Sequence, residues 1–500
     1  MELLISGSGL FFTPLAILMS AVGCLLGLII GVLPGLGPLM GIILLLPVAF
    51  HLPAGAAMAL LLSIYVGGSC GGSISAILLR IPGTPLAAAT LLDGYPMAQK
   101  GRAQDAIGIA VTSSSLGGLI GGVVLIFFSP FLAEFALNFA PPEIFGMTLL
   151  GLISIVVVSQ ESPVKGFIAG VFGLLIATIG TDDFTNAYRF TFGAFNLYNG
   201  FHIVAMVVGL FAISEVIFQV QSGGYLAKPI IGKIKAPFSS IKLISGHLPN
   251  LFRSAALGSF FGALPGAGGV ISSFTSYAVA KTRAKPHENY GEGEEGGVVA
   301  TEAANNACCG GALIPTLSLG IPGDGSTAVL MGALFLLGFY PGPELFEHHK
   351  DVAGGIFIAF MAANVFLLIL GITLTPLFVS VLKFPKAYLI PSVLLLSIIG
   401  TFAIQSSVFD LWVMFAFGII GYYLRRGGYP LAPVIIGAIL GPICESNFRR
   451  SLLISDNGLQ IFIERPISAV ILGIVSILLI MIMVKSFRIF QKGRERENTI

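Results

Sequence analysis

Charge is what this sequence has least of. Asp, Glu, Lys and Arg supply 10% of its 500 residues, against roughly 25% in an ordinary soluble domain. So few charges cannot cover a soluble body of this size. A 55% hydrophobic composition and a mean hydropathy of +0.95 place the chain in a membrane instead. Cysteine is scarce as well. Cys24, Cys70, Cys308, Cys309 and Cys444 form an odd set with no Cys-x-x-Cys pair. They read as small buried residues rather than a disulfide framework or metal site. The chain has no P-loop, so it does not drive work by its own nucleotide hydrolysis. Its 26 basic and 24 acidic residues nearly balance, which offers nucleic acid no basic face. The N-terminus lacks a basic region ahead of a short apolar core, and the first apolar run reads as a retained membrane element.

What is present is apolar length. Between Glu2 and Arg80 lie 77 consecutive uncharged residues, between Asp105 and Glu134 another 28, and between Asp351 and Lys383 another 31. A spanning helix needs about 20 apolar residues, so the chain predicts an all-α polytopic membrane protein with roughly 12 transmembrane helices. Barrel strands would alternate apolar and polar residues, and these runs do not. Positive charge marks the cytoplasmic side. Lys228, Lys233, Lys235, Lys242 and Arg253 form an acid-free stretch, and Lys485, Arg488, Lys492, Arg494 and Arg496 crowd the C-terminal tail. Both segments are predicted cytoplasmic, as is the Arg80–Arg102 loop.

Three short motifs recur in order. Gly31-Val32-Leu33-Pro34-Gly35-Leu36-Gly37 returns as Gly262-Ala263-Leu264-Pro265-Gly266-Ala267-Gly268, 231 residues on. Cys70-Gly71-Gly72 matches Cys309-Gly310-Gly311 at 239, and Ile81-Pro82-Gly83 matches Ile321-Pro322-Gly323 at 240. The division that follows is a first membrane repeat over 1–218 and a basic cytoplasmic linker over 219–253. A second repeat occupies 254–443, and 444–500 hold a loop, the last transmembrane helix and the tail. The bases between the first and second motifs lie in the second copy (Lys281, Arg283, Lys285). Those after the third lie in the first copy (Lys100, Arg102). Equivalent loops therefore sit on opposite faces, which predicts inverted repeats of the kind secondary transporters use.

Pro and Gly break helices, and a broken helix in lipid is tolerated only where protein or water satisfies the freed backbone. Pairs such as Gly117/Gly121 and Gly166/Gly170 suit simple helix packing. The Leu-Pro-Gly segments put three breakers within five positions. They predict broken or re-entrant helices whose unwound ends bind ligand: N-termini attract carboxylates and carbonyls take Na⁺. The substrate candidates are Pro34, Gly35, Gly37, Gly72, Ser73, Pro265, Gly266, Gly268, Asn306 and Thr316. The cation candidates are Glu302, Asn305, Asn306 and Ser318, with Na⁺ or H⁺ as coupling ion and no other cofactor. Gly67-Gly68-Ser69-Cys70-Gly71 matches a nucleophile elbow, but no strand–turn–helix context or positioned His accompanies it. Glu347-His348-His349 lacks metalloprotease spacing. No catalytic residue is assigned. The competing readings are an intramembrane serine hydrolase using Ser69 or Ser73, and a passive channel.

The run from Gly67 to Ala103, GGSCGGSISAILLRIPGTPLAAATLLDGYPMAQKGRA, combines with AANNACCGGALIPTLSLGIPGDGSTAVLMGAL in the second half. Together with the Leu-Pro-Gly motifs, Arg189-Phe190-Thr191-Phe192-Gly193 after Asp182-Asp183, and Pro341-Gly342-Pro343, the sequence resembles the large membrane subunit (TctA type) of the tripartite tricarboxylate transporters over nearly its whole length. It departs at Ser69-Cys70 and Cys308-Cys309, where an aromatic or other small residues are expected. The resemblance implies an ion-coupled importer of carboxylates such as citrate in a bacterial inner membrane. It also implies a small membrane subunit of about four helices and a periplasmic solute-binding protein as partners.

Overall fold

The computed structural model describes residues 2–497 except 34–35, 138, 159–162, 183, 222–234, 266–267 and 382–385. The chain opens with helices α1 (Glu2–Phe11), α2 (Pro14–Val32), α3 (Gly37–Phe50) and α4 (Ala54–Leu79). A 3-10 turn (Pro85–Ala88), α5 (Leu91–Gln99) and α6 (Ala103–Ala136) follow. Next come α7 (Pro141–Val158), α8 (Pro163–Ala177), a two-stranded hairpin of β1 (Gly180–Thr181) and β2 (Tyr188–Arg189), and α9 (Ile203–Val207). A π-helical turn, Val208–Ile213, carries α9 into α10 (Ser214–Gln221). The second half contains α11 (Ser240–Leu243), α12 (Leu248–Ala263), α13 (Gly268–Thr282), α14 (Glu295–Leu319) and α15 (Gly325–Leu336). It continues with α16 (Pro343–His348), α17 (Lys350–Thr373), α18 (Thr375–Val381) and α19 (Lys386–Gln405). The last helices are α20 (Val408–Arg426), α21 (Ala432–Ile454), α22 (Ile461–Glu464) and α23 (Pro466–Glu497).

The α-helical membrane class is as expected. Among the described residues, α2, α4, α6, α17 and α20 are long and apolar enough to cross a membrane, and a bent pair ending in α23 makes a sixth candidate. Much of the remaining apolar sequence folds into helices of 10–17 residues. At 1.5 Å per residue these reach about 15–25 Å, short of a 30 Å core. A charge-free run therefore need not be a row of full spans, because Pro and Gly cut it into shorter pieces.

The residues form two compact units, each drawing on both halves of the chain: 1–134 with 219–404, and 135–218 with 405–500. In the first unit α2 runs parallel to α4, because Gly23, Gly27 and Gly31 abut Leu60, Ile64 and Gly68 in rising order. Helix α3 runs the other way, with Pro38 against Gly68 and Gly41 against Ile64. The first Leu-Pro-Gly break thus reverses the chain into a helical hairpin and does not interrupt one continuous helix. Leu33 leaves α2 in extended geometry, and Gly37 opens α3 at φ +56°, a conformation that strains any residue with a Cβ. Helices α12, α13 and α14 repeat the arrangement. Gly258 and Gly262 abut Ala304 and Cys308, Leu264 is extended, and Gly268 opens α13 at φ +67°. Gly71 meets Leu28 and Gly31, while Gly311 meets Ser259 and Gly262. These contacts keep one separation of 240 throughout the fourth and fourteenth helices. Gly71 therefore corresponds to Gly311, one position away from the Cys-Gly-Gly alignment read from sequence.

Helices α4 and α14 are buried along nearly their whole length. They cross antiparallel, since Ser73 meets Glu302 while Ser69 meets Asn305 and Cys309. Gly117 and Gly121 of α6 seat Ala303 and Ala307 of α14, which is the close packing expected of that glycine pair. Further along α6, Phe127, Phe128 and Phe131 are exposed, as a lipid-facing surface requires. In the second unit Gly170 and Gly173 of α8 meet Gly437 and Val434 of α21, again antiparallel.

Candidate functional site

The polar residues of the first unit gather where α4 and α14 cross. Neither helix faces solvent there, so each hydroxyl and amide needs a partner inside the protein. Glu302 is fully buried. Its Oε1 receives the Ser73 hydroxyl at 2.5 Å and also meets the Thr90 hydroxyl. Thr90 in turn lies 3.1 Å from the Thr301 hydroxyl, which contacts the Gly297 and Val298 carbonyls at 3.1 Å each. The Asn305 amide donates to the Ser69 carbonyl at 3.2 Å and approaches Glu302 Oε2 at 3.5 Å. Its own Oδ1 is buried without a hydrogen-bond partner. The next residue, Asn306, faces Asn364 of α17 at 3.5 Å. Among the described residues no Lys, Arg or His forms an ion pair with Glu302.

The sequence candidates divide on this frame. Ser73, Glu302, Asn305 and Asn306 come together at the crossing. Ser318 does not. It lies sixteen positions past Glu302 on α14, about 24 Å away along the helix, and bonds to the Ile314 carbonyl and Ser129. Thr316 donates to the Ala312 carbonyl and accepts the Gly323 N–H at 3.2 Å, bridging helix and Ile-Pro-Gly loop. Gly72 performs a similar packing task, receiving the Gly83 N–H at 3.1 Å. A Cβ there would strike Thr84. Gly37 and Gly268 open the hairpin return helices, and Pro265 is half-buried at the second tip. Pro34, Gly35 and Gly266 lie outside the described residues. Ser69 sits within α4, donating to the Tyr65 carbonyl, so the Gly-x-Ser-x-Gly match is mid-helix and has no elbow geometry. All five cysteines are free.

Two clusters were not foreseen from sequence, although Asp182 and Arg189 belong to the motifs quoted above. Tyr65 of α4 donates to Asp324 at 2.6 Å, and Asp324 also caps α15 in a reciprocal box with Thr327. The Asp-Gly-Ser-Thr run could have signalled that cap; its distant tyrosine partner has no local signature. In the second unit, Asp182 pairs with Arg449 at 2.9 Å and Arg189 at 3.3 Å, and both arginines reach Glu445 at 2.7 Å. These four residues line a cavity of about 330 Å³ with Thr181, Asn199 and Ser446. Backbone N–H groups of Thr185 and Phe184, together with Arg449, hold the Asp182 carboxyl down to about 2.

A depressed carboxyl stabilises the hairpin in its ionised form. That contribution is complete above the ordinary value of about 3.9 and disappears as the pH falls through about 2. Pepsin cleavage of the turn between β1 and β2 should therefore begin only below about pH 3. Cleavage at about pH 5 in the intact chain would show that Asp182 does not anchor it.

Comparison with known proteins decides the affiliation. The family model described as "Tripartite tricarboxylate transporter TctA family" matches residues 17–436. The chain belongs to the TctA family. It is 36% identical over 464 residues to an uncharacterized 52.8 kDa protein in the TAR-I ttuC' 3' region of Agrobacterium vitis, covering 92% of both chains. An uncharacterized protein in the TAR-II ttuC' 3' region of the same organism is 36% identical over 231 residues, 46% of this chain and 96% of that protein. No solved structure matches. Membership makes this TctA chain a multi-pass membrane component of a tripartite tricarboxylate transporter. A small membrane subunit and a periplasmic binding protein are the partners that such a system implies.

Proposed function

We propose that this TctA chain is the permease of a binding-protein-dependent importer of carboxylates, a tricarboxylate such as citrate or a related acid, driven by a Na⁺ or H⁺ gradient. The chain resides in a bacterial inner membrane with its C-terminus in the cytoplasm. Its small partner subunit has about four helices, and roughly 12 spans arise from two inverted repeats. The observation that carries the reading is the pair of like hairpins, α2–α3 and α12–α13, each turned at Leu-Pro-Gly and each packed on an equivalent long helix. The antiparallel crossing of α4 and α14 supports inversion. Ser69 and Cys309, 240 residues apart, touch at that crossing at 3.4 Å, as equivalent residues do on a two-fold axis. Sidedness is supported by the joining of loops predicted cytoplasmic: Lys100 donates to the Glu292 carbonyl, and Arg102 pairs with Glu295.

A multiply charged anion needs donors inside the membrane, and few Lys or Arg are there to supply them. Backbone N–H groups at the starts of α3 and α13 are suited to carboxylates. The substrate is accordingly assigned to the two hairpin tips, with Pro34, Gly35, Gly37 and Pro265, Gly266, Gly268 around it. Asn306 and the Ser73 side of the crossing flank the path, and Asn305 with Glu302 serves the coupling cation. Gly35→Ala and Gly266→Ala should reduce citrate uptake at least tenfold in proteoliposomes holding all three components, with insertion unchanged. Uptake that persists after both ion gradients are collapsed, or normal kinetics in both variants, would overturn this assignment.

A further inference from the structure

Glu302 poses a charge problem. Its described surroundings contain hydroxyls and amides but no paired base. The other titratable groups nearby cannot neutralise it. Cys70 faces it from α4, and Asp93 of α5 and Tyr277 of α13 lie one helical turn or more away, at Gly297. From α6 the neighbour is Ser114, another hydroxyl. An ionised carboxylate left there would carry a large desolvation penalty.

Counting protons on the hydroxyls shows how the site can hold either state. Each hydroxyl has one proton to donate. With Glu302 ionised, Thr301 donates to Thr90 and Thr90 donates to Oε1, while Ser73 donates to the same oxygen. With Glu302 protonated, Oε1–H donates to Thr90, Thr90 donates to Thr301, and Thr301 donates to the Gly297 or Val298 carbonyl 3.1 Å away. Ser73 keeps its bond in both. The Glu302–Thr90 and Thr90–Thr301 bonds survive in either state; the Thr301 bond to a carbonyl is made only when Glu302 is protonated, and only hydroxyl rotors turn. A metal cation would instead have to displace donors already pointing at Oε1.

We infer that Glu302 is the proton carrier of this permease, taking up and releasing one H⁺ as the Thr90–Thr301 hydroxyl chain reverses direction. The coupling role rests on the permease reading; the proton site itself does not. Uptake binds H⁺ from the outer aqueous phase to Oε1, and release returns it to the inner phase, so no other reactant is consumed.

Infrared spectroscopy of the purified full chain with its small subunit tests the site without any transported substrate. A buried carboxylic C=O band should disappear as pH rises and be missing in Glu302→Gln. In Thr90→Val the midpoint should shift by about one pH unit, a tenfold change in proton affinity, and Thr90→Ser should restore it. A purely structural Thr90 would leave that midpoint in place, and Thr90→Val covers the case in which Glu302→Gln fails to fold. In proteoliposomes with all three components, Glu302→Gln should lose at least tenfold in pH-driven citrate accumulation. Loss of the band on adding sodium chloride at fixed pH, but not potassium chloride, would overturn the inference in favour of Na⁺. Undiminished pH-driven accumulation in Glu302→Gln would overturn it too. A titrating band together with no citrate movement of any kind would uphold the proton site and sink the citrate permease reading.

Discussion

Gly31→Ala and Gly262→Ala should each destabilise the chain by about 1–3 kcal/mol, the usual range for forcing extra atoms into a packed core. The two glycines hold equivalent places, Gly31 against the Gly68 carbonyl and Gly262 against the Cys308 carbonyl. A Cβ in either position meets backbone, which cannot rotate away as a side chain can. Helix propensity alone favours Ala over Gly by roughly 1 kcal/mol, so the sign depends on that clash. Gly9 in α1 and Gly473 in α23 have nothing within 4 Å of a built Cβ. Alanine there should be neutral or stabilising. Thermal unfolding in detergent, read as an apparent midpoint, compares all four. Equal effects at the packed and the open glycines would contradict the parallel helix pairs.

Removing the Asp324 side chain should have an effect of similar size for a different reason. In Asp324→Ala the α15 cap is lost, worth about 0.5–2 kcal/mol. The buried Tyr65 hydroxyl also loses its acceptor, at about 1–3 kcal/mol. Together a loss of about 1.5–5 kcal/mol is expected. Asp324→Asn keeps a capping oxygen and should lose less, and Tyr65→Phe should lose about 1 kcal/mol. A double-mutant cycle of Tyr65→Phe with Asp324→Ala isolates the shared bond. Strict additivity would mean that the 2.6 Å contact contributes nothing to folding.

The carboxylate at the crossing shows how far a linear reading goes. Glu302, Asn305 and Asn306 are legible as one helix face because three- and four-residue spacings are local geometry. Ser73 was also legible as a hydroxyl near a glycine cluster. Thr90 was not, because it lies 212 residues from Glu302 and belongs to no recurring motif. Ser318 illustrates the opposite error. Its residue type suits a cation, but its position on α14 carries it a further four turns away, where its hydroxyl is satisfied within its own helix.

Membrane residence followed from the sequence by itself, since 10% charge cannot clothe a soluble body. So did the all-helical class and the recurrence of the Leu-Pro-Gly and Ile-Pro-Gly motifs. These are properties of composition, of local backbone chemistry and of residue order. The tertiary structure alone decided that the Leu-Pro-Gly break turns the chain back on itself, that α4 and α14 cross antiparallel, and that Tyr65 finds Asp324. It alone brought Ser73, Thr90 and Glu302 onto one oxygen. A breaker specifies where a helix stops, not where the next one goes; that direction is set by which glycines let which backbones approach. A polar side chain likewise specifies that it needs a partner. Which partner it meets depends on packing between helices far apart in the chain, and no local spacing records it.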